Sequence, residues 1–268
     1  MTYFELTEES RRGYSAGKAL RRIRATEDLP RHGVAAGTLG GWVEHINNVT
    51  GAAWVGGDAT VFGEAVVTDS ATVLDNATVS EGAKVSGQAR IGGYASVSGR
   101  AAVGESAEVD QYARIEGDAR VFGAARIRGD VVITDSARVG GQAEIDYDAM
   151  VSGHALVAGL AYVSGAARIY GRMKIDHDAY IVDPQDLFEV GPIGSECAGV
   201  TLFRTRTGHV LHVGCWTGTI DELAAEVSKR TDGWYHGNAH EHARWKAEYA
   251  ALESLCRVRV SGWKPVQS

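Results

Sequence analysis

A chain of 268 residues with 27 Lys+Arg against 34 Asp+Glu carries a formal net charge of −7, which speaks against a general nucleic-acid binder, since such proteins present a basic face. No apolar run approaches the ~20 residues of a membrane span, and the polar, acidic stretch Met1 to Arg11 lacks the apolar centre of a secretion signal. Cys197, Cys215 and Cys256 make neither a disulfide framework nor a CxxC pair, so reduced thiols in a cytoplasmic protein are the simplest expectation.

In chain order, the first segment, 1–52, reads as a β cap. Strands are expected at Ala19–Ala25 and Gly41–Ile46, separated by Gly37 and Gly40-Gly41. Trp42 and Trp54 are placed to seal whatever follows.

From Val55 every sixth residue through Ile181 is Val or Ile, twenty-two in succession, and two residues before each stands Ala, with Val131 and Met173 the exceptions. Self-similarity at a fixed period is the mark of a solenoid. Alternation along a short strand sends the Ala and the Val inward and the residue between them outward. Gly, Asp or Asn at the corners (Gly63, Asp69, Gly87) tolerate the positive φ of a tight turn. Three such rungs per lap give an 18-residue period, and stepping by 18 puts Arg90, Glu108, Arg126 and Glu144 in one alternating charge ladder. The same step puts Tyr94 beneath Tyr112 and gathers Lys84, Arg120, Arg138 and Lys174 in one outward column, read as a solvated face. Segment 53–183 is therefore expected to be a stiff, three-sided prism.

This pattern resembles the hexapeptide repeat of left-handed parallel β-helix proteins, best known as acyltransferases that use acyl-CoA or acyl carrier protein. The left hand is what the resemblance implies. Ala19-Leu20-Arg21-Arg22-Ile23-Arg24-Ala25 with Leu39-Gly40-Gly41-Trp42-Val43-Glu44, and the later run Gly208 to Leu223, resemble the YdcK-like transferases of enterobacteria and temperate phages. That likeness implies homo-oligomers, a trimer first and a tail-mediated dimer next. It also implies a His base beside bound acyl-CoA, for which His154 and His177 are the rod's candidates. They flank one face at opposite ends, one coil apart, so they cannot act as a pair. The count of six never slips, which leaves no inserted loop to build an acceptor site.

The last segment, 184–268, reads as a small α+β domain. Strands are expected at Val200–Arg204 and His209–Gly214, joined by Arg206-Thr207-Gly208. A helix should start at Thr219 with Glu222 closing a capping box, and a second should run from about His240 to Leu255 with Trp245, Tyr249 and Leu252 in one stripe. A final strand, Arg257–Val260, should return to the sheet. His236, His240 and His242 are the densest histidine cluster, but Gly237 interrupts the helical spacing a metal site needs, so no metal is expected. Met150, Leu156, Leu160, Tyr162, Tyr170 and Tyr180 are expected to form an apolar patch that the tail or another subunit covers. Tyr162, Tyr170, Tyr180, Trp216 and Trp234 are the candidate interaction surface. The sequence thus supports a rigid, non-catalytic scaffold or binding protein, phage- or prophage-associated, acting on a host protein or small signal molecule. It needs no cofactor and binds neither nucleic acid nor membrane. A cytoplasmic acyltransferase using acyl-CoA is the alternative.

Overall fold

The computed structural model describes residues 3–12, 19–231, 233–234 and 237–263. Its centre is a parallel β-solenoid of about eight turns, in which two-residue strands recur every six residues from Trp54–Val55 to Tyr180–Ile181. Each strand pairs in parallel with the one 18 residues on, as in Arg90↔Glu108 and Ile91↔Val109, so the strands fall into three sheets and the solenoid has three sides. All twenty-two aliphatic residues of the series are at most 1 % exposed. Period two inside each rung and period 18 between laps stack them into one dry column.

The corners explain why acids as well as glycines recur there. Asp69, Asp75, Glu81, Glu105 and Asp135 hold positive φ, and each accepts a hydrogen bond from the glycine N–H one lap above, at 2.8–3.0 Å. A carboxylate there satisfies a backbone donor that the turn leaves without a carbonyl. The charge ladder is present, with Arg126 3.0 Å from Glu144 and 3.8 Å from Glu108. Tyr94 and Tyr112 stack at 5.3 Å.

At the N-terminal end Phe4–Arg12 pairs antiparallel with Ala19–Ala25, which pairs with Leu39–Val43, and Leu39–Val43 joins the Thr60–Val61 rung in parallel. The strand expected over Gly41–Ile46 stops at Val43 because Ile46–Asn48 folds into a 3-10 turn, whose Asn48 Oδ1 accepts the His45 N–H at 2.7 Å. Phe4–Arg12 was concealed by its polar composition, since only Phe4 and Thr7 are buried. Trp54 is buried, and Trp42 lies beneath Arg11, whose guanidinium is 4.4 Å from the ring centre.

At the other end Leu187–Ile193, Ala198–Arg204, His209–Val213 and Trp216–Gly218 form a four-stranded antiparallel sheet. One face, through Leu187 and Phe203, joins the solenoid core. The other, through Val200, Leu202 and Leu211, packs on helices α1 (Ile220–Thr231) and α2 (Ala239–Ser261). The expected strand at Arg257–Val260 is instead the last turn of α2. Cys256 follows Leu252 at i+4 into the core, and Arg257 pairs with Glu253 one turn back and with Asp221 of α1. The expected apolar patch is also corrected. Met150, Leu156 and Tyr162 sit in three different sheets, so these residues face three directions instead of sharing one surface.

Candidate functional site

Where the solenoid meets the C-terminal sheet, one carboxylate gathers polar side chains from both. Asp176 follows the rung Lys174–Ile175, and its neighbour His177 occupies the corner at φ 57°. His212 lies on the strand His209–Val213, on the sheet face that docks against the solenoid. Asp176 Oδ1 lies 3.1 Å from His212 Nε2 and 2.5 Å from His177 Nδ1, while Oδ2 lies 2.8 Å from Lys174 Nζ. On its far side His212 Nδ1 lies 2.7 Å from Thr217 Oγ1, its cross-strand partner.

Burial divides these groups. The side chains of His212 and Asp176 are 8 % and 15 % exposed, whereas that of His177 is 52 % exposed. Burial alone would raise the Asp176 pKa, but hydrogen bonds from Lys174 and His177 outweigh it and hold the carboxyl below its ordinary value. Desolvation pushes His212 below its ordinary pKa although Asp176 pulls the other way, so His212 is neutral near pH 7. His177 is the simplest chemical unit here: Nδ1 on a carboxylate fixes the ring and leaves Nε2 free for proton transfer.

His154 is exposed at its own corner, its backbone N–H bonded to Gly171 O at 2.7 Å. Its rung and that of His177 are neighbours in one sheet, so the two histidines flank one side at opposite ends, one lap apart.

The five aromatic candidates fall in separate places. Tyr162 and Tyr180 stack at 5.5 Å on one side of the solenoid, and Arg204 and Arg206 lie over the Tyr180 ring. Tyr170 is half exposed and lines one hollow with Glu189, whose pKa burial raises. Trp216 and Trp234 line a cleft between the C-terminal sheet and the helices, with Tyr249, Arg230, Glu196 and Glu226. Its enclosed space is only about 30 Å³, but a cavity of about 360 Å³ between α1 and α2 shares Leu223, Val227 and Tyr249 with it.

His236 lies outside the described residues, His240 is exposed, and His242 packs between Trp234 and Trp245. Among the described residues no group of three His, Cys, Asp or Glu is placed to hold a metal ion. No described helix is long and apolar enough to cross a membrane.

Sequence reasoning reached His177 but not Asp176, His212 or Thr217 as its companions. Two signals were available: the adjacent pair Asp176-His177, and the hairpin over Gly214-Cys215 that sets His212 opposite Thr217. Comparison with protein-family models and with curated proteins finds no match for this chain.

Proposed function

We propose that the chain is a rigid scaffold and binding protein of the left-handed hexapeptide-repeat type, resembling the YdcK-like group, cytoplasmic and phage- or prophage-associated. Its C-terminal module takes a host partner or a small signal molecule, and the solenoid holds copies of that module in a homo-oligomer, a trimer before a dimer. One observation carries this reading: Trp216, Trp234 and Tyr249 converge with Arg230, Glu196 and Glu226 on a cleft, and its Leu223, Val227 and Tyr249 also line the cavity between the helices. Aromatic walls with a few charged groups, and a cavity within the ~300–1,000 Å³ range, suit a small ligand. A small-molecule melting screen tests it. A ligand at ~100-fold over its Kd should stabilise the protein by about 2.7 kcal/mol, and Trp216→Ala should abolish the shift. A flat screen, together with a host lysate that yields no partner, would overturn the reading.

A second reading, acyl transfer from acyl-CoA, is favoured by the His177–Asp176 pair, which matches an oriented general base. Acetyl-CoA should then raise the melting temperature and His177→Ala should remove transfer to an amine or hydroxyl acceptor. Transfer that survives in both His177→Ala and His154→Ala removes this reading.

A further inference from the structure

Thr217, His212 and Asp176 stand in a line. Thr217 Oγ1 is 2.7 Å from His212 Nδ1, and His212 Nε2 is 3.1 Å from Asp176 Oδ1. An ionised carboxylate only accepts, so the imidazole donates from Nε2–H and keeps its Nδ1 lone pair for the Thr217 hydroxyl proton. A hydroxyl on a base that a third group orients is the arrangement of an activated nucleophile. The burial gradient agrees: Thr217 is exposed, while the side chains of His212 and Asp176 are 8 % and 15 % exposed.

The molecule contains its own control. His32 Nδ1 also meets a threonine hydroxyl, Thr72 Oγ1, at 3.0 Å, but its Nε2 faces the Ala52 carbonyl at 2.6 Å and Thr72 is only 7 % exposed. That pair has no carboxylate, and its threonine is buried, as a purely structural contact requires. At Thr217 the carboxylate is present and the residue is exposed. Docking of the sheet on the solenoid needs only the His212–Asp176 bond and leaves the exposed hydroxyl without a purpose.

We propose that Thr217 is a nucleophile that accepts an acyl group from an activated ester or thioester, with His212 as its base and Asp176 as its positioning residue. Thr217 Oγ1 bonds to the acyl carbon as the ester C–O or thioester C–S bond breaks. The hydroxyl proton passes to His212 Nδ1 and then to the departing alkoxide or thiolate. Water reverses the exchange: it gives a proton to His212, takes the acyl carbon, and the proton returns to Thr217. His177 shares Asp176 Oδ1 but stands outside this line, its ring centre 6.4 Å from that of His212. This activity goes beyond the binding reading, and the result below leaves the ligand screen untouched.

The full chain is incubated with p-nitrophenyl acetate, release of p-nitrophenolate is followed, and the adduct is located by peptide mass spectrometry. The expected result is one acetyl group on Thr217. Thr217→Val should lose the adduct and slow release about 100-fold or more, as should His212→Gln. Thr217→Ser should keep the adduct. Asp176→Asn should move the pH midpoint of acylation downward, because the carboxylate pulls the His212 pKa up; a docking role alone would leave that midpoint in place. A folded wild-type protein with no adduct, or with its adduct elsewhere, overturns the proposal, and that reading needs no variant to fold.

Discussion

Asp186 shows how much one buried carboxylate can hold at the end of the solenoid. It is 3 % exposed and accepts the N–H groups of Val182 and Asp183, each at 3.0 Å, and the Arg204 guanidinium at 3.0 Å. Removing it strands two backbone donors and takes the carboxylate from the mostly buried Arg204 guanidinium, so Asp186→Ala should cost about 3–5 kcal/mol in chemical denaturation. A loss under about 1 kcal/mol would show that water replaces the carboxylate. A pH effect belongs to the same scale. His212 has a folded pKa below its ordinary 6.5, as has His209, whose burial acts in the same direction and whose Nε2 accepts the Ile220 N–H. Below 6.5 the unfolded histidines bind protons that the folded ones refuse, so their stabilisation is complete above that value and declines as pH falls toward the folded pKa. Asp176 follows with the same sign at lower pH, below 3.8, because its folded pKa is depressed as well. Lys174 and His177 face Asp176 from the solenoid, and Asp221 and Arg257 face His209 from the helices. The expected outcome is a melting temperature that falls as pH drops below 6.5, and a shallower fall in His212→Gln. An unchanged slope in that variant would refute the assignment.

Within single elements, the corner geometry decides which glycines are required. Gly123 has φ +72°, and a Cβ there would lie 2.6 Å from Gly141 O, whereas Gly82 has no positive φ and its Cβ would meet Gly99 O at 3.3 Å. Gly123→Ala should therefore lose about 1–2 kcal/mol to the left-handed backbone, with more for the clash, while Gly82→Ala should stay near neutral. Equal losses in denaturation would contradict this account of the corners. The same contrast explains what could be read from the chain beforehand. The solenoid was legible because one steric demand repeats in every rung, so Val or Ile inside and a turn residue at the corner are restated twenty-two times. The end of α2 was not. Arg257-Val258-Arg259-Val260 alternates like a strand, and the pairs of Arg257 with Asp221 and Glu253, with Cys256 in the core, keep it helical. The candidate site was half legible for a related reason: His177 lies in the repeat, but His212 reaches Asp176 from 36 residues away only once the sheet has docked.

Across the whole molecule, each lap touches only the laps above and below, so length and phase are separate properties. Removing Ser80 to Val97 takes out one 18-residue lap and joins Val79 to Ser98 with inward and outward positions unchanged. Thr72 then lies beneath Glu108, so the charge ladder above it, Glu108 to Glu144, keeps its order. Asp69 and Asp75 each meet a corner N–H on the new lap above, where glycines stood before. Among the described residues, the stack of Tyr94 on Tyr112 is the one aromatic pair that this deletion takes apart. This shorter rod should fold and keep a single cooperative melt. Removing only Ser80 to Gly82 deletes a corner instead, and fuses two rungs so that Val79 runs straight into Ala83-Lys84-Val85. Inward and outward positions then conflict at that lap, and an inward place once held by an aliphatic residue faces the wrong neighbour. The three-residue deletion should melt lower, or in two steps, despite removing one-sixth as much chain. Circular dichroism melts of the two proteins check the idea. If the larger deletion proves the more damaging, stacking of 18-residue laps is not what stabilises the rod.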